Sequence, residues 1–175
     1  GHRVGLVSAL FLSLSFLHVR DSHFLTVDVP ATFHLLVSCF FSLCYIDKKR
    51  ARDLAIAALF LGISASTKYN MALFAGIVCV AALQGAGDWW GKCKRCSWVL
   101  GVVVLAFIAG SPYILLDFAT FWRDLSYERL HFARGHDLDL GRGWIYHLTF
   151  TLPLGLGWPL FVATLVGLGR WAYRR

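Results

Sequence analysis

The sequence predicts an all-α polytopic membrane protein, a transmembrane helical bundle with short and interfacial helices. Three observations carry this expectation. The 175 residues are 58% hydrophobic with a mean hydropathy of +0.62, whereas an ordinary globular domain is about 45–50% apolar. The apolar residues fall in runs close to the length of about 17–25 helical residues that crosses a bilayer. The Lys and Arg residues cluster at the ends of those runs rather than along one face. A net charge of +7 distributed this way reads as a topology signal and not as a nucleic-acid surface.

The elements follow in order as one domain. A first helix over about residues 4–19 leads to the polar link at residues 20–30. A second, over about 31–46, leads to residues 47–53, where Lys48, Lys49, Arg50 and Arg52 assign the turn to the cytoplasm by the positive-inside rule. The link at 20–30 then opens to the outer, lumenal or periplasmic, side. Residues 88–98 carry Lys92, Lys94 and Arg95 and read as a second cytoplasmic loop, so the stretch between must cross twice. It does so as two short helices, about 54–66 and 71–84, whose junction around Lys68 lies below the outer surface. Backbone of that kind is tolerated at membrane depth only against protein or a water-filled cavity.

A full-length helix over about 98–116 delivers Asp117 to the outer side, with Pro112 bending its last turns. In the outer loop, 117–159, Phe118, Phe121, Trp122, Leu125 and Phe132 lie opposite Asp124, Glu128 and Arg129 at helical spacing, as in a helix lying in the interface. A short helix over 144–152 re-enters the apolar layer, residues 153–159 interrupt it, and a last helix over about 160–171 ends at Arg170, Arg174 and Arg175. Eleven of the seventeen Lys and Arg then fall inside and six outside. The chain begins at Gly1 within an apolar run and reads as part of a longer protein. The cysteines give no disulfide framework, because only Cys93 and Cys96 make a CxxC, two of the four ligands that structural zinc needs.

The outer side collects Arg20, Asp21, His23, Asp28, Lys68, Tyr69, Asp117, Glu128, Arg134 and His136. Cations beside carboxylates at a membrane face suit a ligand with an anionic head and an apolar tail. Arg and Lys would hold a phosphate, and a carboxylate would hold a sugar hydroxyl, a metal ion or a proton. Each of these residues also has a plainer reading. Asp28, with Pro30 behind it, would make a good helix cap. Arg20 and Asp21 would form an interfacial ion pair, Lys68 and His23 would snorkel, and Glu128 with His131 has metal-ligand spacing but no second such pair.

The link R-D-S-H-F-L-T-V-D-V-P at 20–30, the junction G-I-S-A-S-T-K-Y-N at 62–70, Gly135-His136 in the outer loop and L-P-L-G-L-G-W-P at 152–159 together resemble the membrane glycosyltransferases of the protein O-mannosyltransferase and aminoarabinose-transferase-like group. The resemblance implies a C-type glycosyltransferase membrane domain. Such an enzyme takes a sugar from a polyprenyl-phosphate donor, with inversion, to a lipid, glycan or protein acceptor on the outer face. Asp28 would match the acid at the link between the third and fourth helices, which shapes the catalytic centre or a metal site. Arg20, His23, Lys68, Tyr69, Glu128, Arg134 and His136 would bind substrate. A divalent metal ion is the one cofactor to consider, with Asp28 as its ligand.

The group's principal catalytic acid lies in the first outer loop, ahead of residue 1, so this stretch alone is expected to be inactive. The expected location is integral and multi-pass, in a bacterial or archaeal plasma membrane rather than the endoplasmic reticulum. The rival readings are a transporter or flippase core binding an anionic lipid or solute at the broken helices, and a non-catalytic membrane subunit.

Overall fold

The computed structural model describes residues 1–85, 87–134 and 141–174, with side chains for all but 131–134. Among the described residues every regular element is helical: α1 (His2–Ser13), α2 (Phe16–His23), α3 (Asp28–Lys48), α4 (Ala51–Thr67), a 3-10 helix (Tyr69–Phe74), α5 (Ala75–Leu83), α6 (Trp89–Gly110), α7 (Tyr113–Leu116), α8 (Phe118–Arg134), α9 (Gly143–Tyr146), a π turn (His147–Thr151), α10 (Leu152–Leu156) and α11 (Trp158–Tyr173). Helices α3 and α6, of 21 and 22 residues, are each long and apolar enough to cross a membrane. Two bent pairs have the same property when taken together, α1 with α2, bent by 59°, and Gly143–Leu156 with α11, bent by 119°. The chain divides into two compact units, one of residues 1–26 with 130–175 and one of Val27–Arg129.

In the first unit, the single helix expected over 4–19 is two helices. Ser15 leaves the helical conformation at φ −65°, ψ 125°, and its buried Oγ donates to the carbonyl of Gly155 at 2.8 Å. The break keeps Ser15 in the backbone ladder, its amide donating to Leu12 O and its carbonyl accepting from Val19 N, while the hydroxyl adds a long-range bond. Gly155 leaves room there for the side chain of Leu17, which a Cβ would oblige to shift.

The interruption expected over 153–159 narrows to Gly157, whose φ of +79° is a conformation that glycine adopts without a Cβ penalty. Pro153 is instead inside the helical run. The wider π turn before it falls where a proline has no amide to donate and crowds the preceding turn. At the end of α2, Leu25 takes the left-handed conformation (φ 51°), and the amide of Thr26 donates back to Asp21 O at 3.2 Å, a Schellman-type closure made without glycine.

The second unit is a bundle built on α3, α4, α5 and α6, with a core of Tyr45, Leu54, Ala57, Ala58, Leu61, Val78, Ala81, Ala82, Val99 and Val103. Four of these ten are alanines, in keeping with helices in an apolar solvent, which gain from close backbone approach. Gly62 is a point of close approach between α4 and α6. A Cβ there would lie 2.5 Å from both Ala106 Cβ and Val103 O. Buried serines tie α3 to α4: Ser38 Oγ donates to Ala57 O and Ser64 Oγ to Ala31 O, each at 2.7 Å. The turn between these two helices closes at Lys49, at φ 53°.

The short helix expected over 71–84 opens as the 3-10 turn and becomes α-helical only from Ala75. The loop expected over 88–98 is helical, and α6 starts at Trp89 in place of residue 98. Asp88 caps it, with Oδ1 accepting from Gly91 N at 3.0 Å, and Lys92, Lys94 and Arg95 are good helix formers, so nothing in the sequence stops the first turns. The amphipathic segment expected after Asp117 is α8.

Candidate functional site

The site begins with two serine-to-carbonyl ties. Ser64, fully buried in α4, holds the first turn of α3 at Ala31. Asp28 lies three residues before Ala31 and Lys68 four residues after Ser64, so about one helical turn on each side of that bond brings the two ends together. There the ammonium of Lys68 donates to Asp28 Oδ1. The two side chains are 35% and 48% exposed. Asp28 therefore does not cap its helix. The N-cap position is Val27 and no side chain caps the amides. The carboxylate instead faces the lysine, and its charge at the first turn also complements the dipole of α3.

Lys68 is presented by a break. It leaves α4 in extended conformation, φ −150°, ψ 114°, its amide still bonded to Ser64 O at 3.0 Å, while its carbonyl accepts from Met71 N at 3.0 Å to begin the 3-10 turn. The break is fastened to α6 by Ser111 Oγ, which donates to Ser66 O at 3.4 Å. Gly110 packs so closely on the Ser66 side chain that a Cβ there would overlap it. Tyr69 follows at once, its ring edge-on to Phe107 of α6 at 6.0 Å and to Phe121 of α8 at 5.8 Å. Phe118 and Trp122 continue this aromatic wall, stacked at 6.2 Å. An ion pair beside a wall of exposed and half-exposed aromatic rings matches a ligand that is anionic at one end and apolar at the other.

The other expected site residues are placed as follows. In the first unit, Arg20 Nε donates to its neighbour Asp21 Oδ1 at 2.8 Å, and His23 ends α2, exposed and edge-on to Phe24 at 5.5 Å. In the second unit, Glu128 is exposed on α8. Arg134 ends α8 with its side chain outside the described part, and His136 lies outside the described residues.

Asp117 emerges as a structural acid. Its Oδ1 accepts from Thr120 N at 3.2 Å at the start of α8. The amide and hydroxyl of Thr120, with a smaller contribution from Arg123, hold its carboxyl below the ordinary carboxylate range.

For a divalent ion, the donor set around Asp28 is thin. Among the described residues no three His, Cys, Asp or Glu side chains gather, and the oxygen that would bind a metal faces an ammonium. The described residues do not by themselves make a metal site. Sequence reasoning missed Ser64, Ala31 and Ser66, the residues that set the geometry. For Ser66 the available signal was Ala58-x3-Gly62-x3-Ser66, a small-residue stripe along one face of α4.

Residues 1–115 fit the family described as dolichyl-phosphate-mannose-protein mannosyltransferase. The matched stretch includes Asp28, Lys68, Tyr69 and the whole of α6. No curated protein and no solved structure matches the chain.

Proposed function

Because the chain belongs to the dolichyl-phosphate-mannose-protein mannosyltransferase family, a family of membrane glycosyltransferases, we propose that its second unit holds the phosphate of a polyprenyl-phosphate-linked sugar at Lys68. The observation that carries this reading is the Lys68–Asp28 contact, made between two helix ends forty residues apart in sequence. A lysine held by one carboxylate and still 35% exposed can turn a proton donor toward a ligand without leaving its partner, since an ammonium has three.

In an inverting transfer the acceptor hydroxyl gives its proton to a general base as its oxygen attacks the anomeric carbon. The bond from that carbon to the phosphate oxygen breaks, and the lipid phosphate leaves with the electron pair. Positive charge already placed at the leaving oxygen stabilises that step. Lys68 takes this role. Asp28 fixes the ammonium and is free, through its second oxygen, to accept from a hydroxyl of the sugar. Tyr69, Phe107 and Phe121 form an apolar wall beside the first lipid units. Glu128, in the same unit, is a further candidate for the sugar or the acceptor. Family membership favours transfer chemistry over the transporter reading.

The test is the KM for a polyprenyl-phosphate sugar, measured on the full-length enzyme. Lys68→Ala should raise it at least tenfold, in line with the loss of one charge-assisted hydrogen bond of about 1.5–3 kcal/mol. An unchanged KM would remove Lys68 from the donor site.

A further inference from the structure

The opposite end of the second unit carries a feature that sugar transfer does not use. Helix α3 has 21 residues between Asp28 and Lys48, about 30 Å at 1.5 Å per residue, which is the thickness of the hydrocarbon core. The ion pair and the α3–α4 turn therefore stand a bilayer apart. At the turn end the chain gathers seven cations, Lys48, Lys49, Arg50, Arg52, Lys92, Lys94 and Arg95, against three acids, Asp47, Asp53 and Asp88. Two of the cations join the elements. Lys49 Nζ donates to Gln84 O at 2.9 Å and Arg95 Nε to Ala82 O at 3.3 Å, so both cap the carbonyl end of α5, where positive charge is favoured.

The acids do little to neutralise the rest. Asp88 is committed to capping α6, and Asp53 is buried, with Arg52 at 3.7 Å making the only ion pair at this end among the described residues. Arg95 Nη2 is buried with no hydrogen-bond partner among the described residues. Lys48, Arg50 and Lys94 are exposed. The ring of Trp90 lies under Lys94 at 5.6 Å, and Trp89 and Trp90, 71% and 66% exposed, are the residue type that settles at headgroup depth.

We infer that this end of the bundle is an anionic-phospholipid site. Lipid phosphates are bound by the exposed cations of the α3–α4 turn and the first turns of α6, on a frame that Lys49 and Arg95 hold rigid. Charge complementarity names the partner. Uncompensated cations at the edge of an apolar span meet a phosphate layer there, and each is worth about a fivefold gain in affinity for an anionic surface.

The experiment is lipid retention by the full-length protein in nanodiscs of phosphatidylcholine containing phosphatidylglycerol, read by native mass spectrometry after transfer to detergent. Wild type should retain phosphatidylglycerol over phosphatidylcholine, and added salt should erode the preference. Lys48→Gln, Arg50→Gln and Lys94→Gln, at exposed positions without hydrogen bonds to the frame, should each lower the preference about fivefold. Equal retention of the two lipids by wild type, or an undiminished preference in the triple variant, would overturn the assignment. The wild-type comparison needs no variant to fold.

Discussion

The hydroxyl of Ser64 donates to the carbonyl of Ala31 at 2.7 Å, and both residues are fully buried. The bond sets the rotation and height of α4 against the first turn of α3, and so decides whether Lys68 reaches Asp28. Ser64→Ala removes the tie but leaves the Ala31 carbonyl its helical acceptor role. The expected stability loss is about 0.5–1.5 kcal/mol. The larger effect should fall on turnover, because a shift of about 1 Å at a binding group costs up to a hundredfold. Thermal unfolding and kcat/KM on the same preparation separate the two. A variant with normal kcat/KM would show that the ion pair finds its own register.

Asp28 and Lys68 should act as a unit. Their half-exposed pair is worth only about 0.2–1 kcal/mol to folding in water, so neither Asp28→Asn nor Lys68→Met should unfold the bundle. In sugar transfer, each single change is expected to cost at least tenfold, and the double variant little more than the worse single one, since either change already disorders the shared site. Multiplicative losses in the double-mutant cycle would mean that the two residues serve separate steps.

Gly62 should tolerate no side chain. A Cβ at this position meets Ala106 Cβ and Val103 O, both at 2.5 Å, and the second is backbone that no rotamer change can move. Gly62→Ala should destabilise by about 1–3 kcal/mol through overpacking. Adding Ala106→Gly should restore only part of that, because the carbonyl stays in place. Full rescue in a denaturation series would place the strain in the side chains alone.

These positions separate what the sequence showed from what it hid. The helical class and the amphipathic helix after Asp117 follow from periodicity and composition, which record what each residue needs from its solvent. The break at Ser15 did not follow, because it depends on a carbonyl 140 residues away, and local propensity carries no term for that bond. The start of α6 was misplaced because clustered charge resembles a loop, although lysine and arginine favour helix and the decisive signal was the cap at Asp88. Asp28 invited the same cap reading and refutes it, since its carboxylate is spent on a lysine that only the tertiary fold brings near. Ser64 was hidden for a related reason: a serine in an apolar helix looks like filler until its partner is known.

Asp117 provides a test by pH. The Thr120 amide donates to its Oδ1 at 3.2 Å, and with the Thr120 hydroxyl lowers its pKa from the usual carboxylate value. A group whose folded pKa is depressed contributes its stabilisation in full above the unfolded value, near 3.9, and loses it as pH falls through the folded value. The start of α8 should therefore stay closed at neutral pH and loosen only below about pH 4. Hydrogen exchange at Thr120 and the amides after it, corrected for intrinsic rates, should rise in that window. Asp117→Asn retains an acceptor oxygen but cannot titrate, so its exchange should lose the pH dependence, whereas Asp117→Ala should exchange fast at every pH. If wild type and Asp117→Asn followed the same profile, the acid response of α8 would have to come from another group, and the cap would be a contact without consequence for the helix that carries Phe121 to Tyr69.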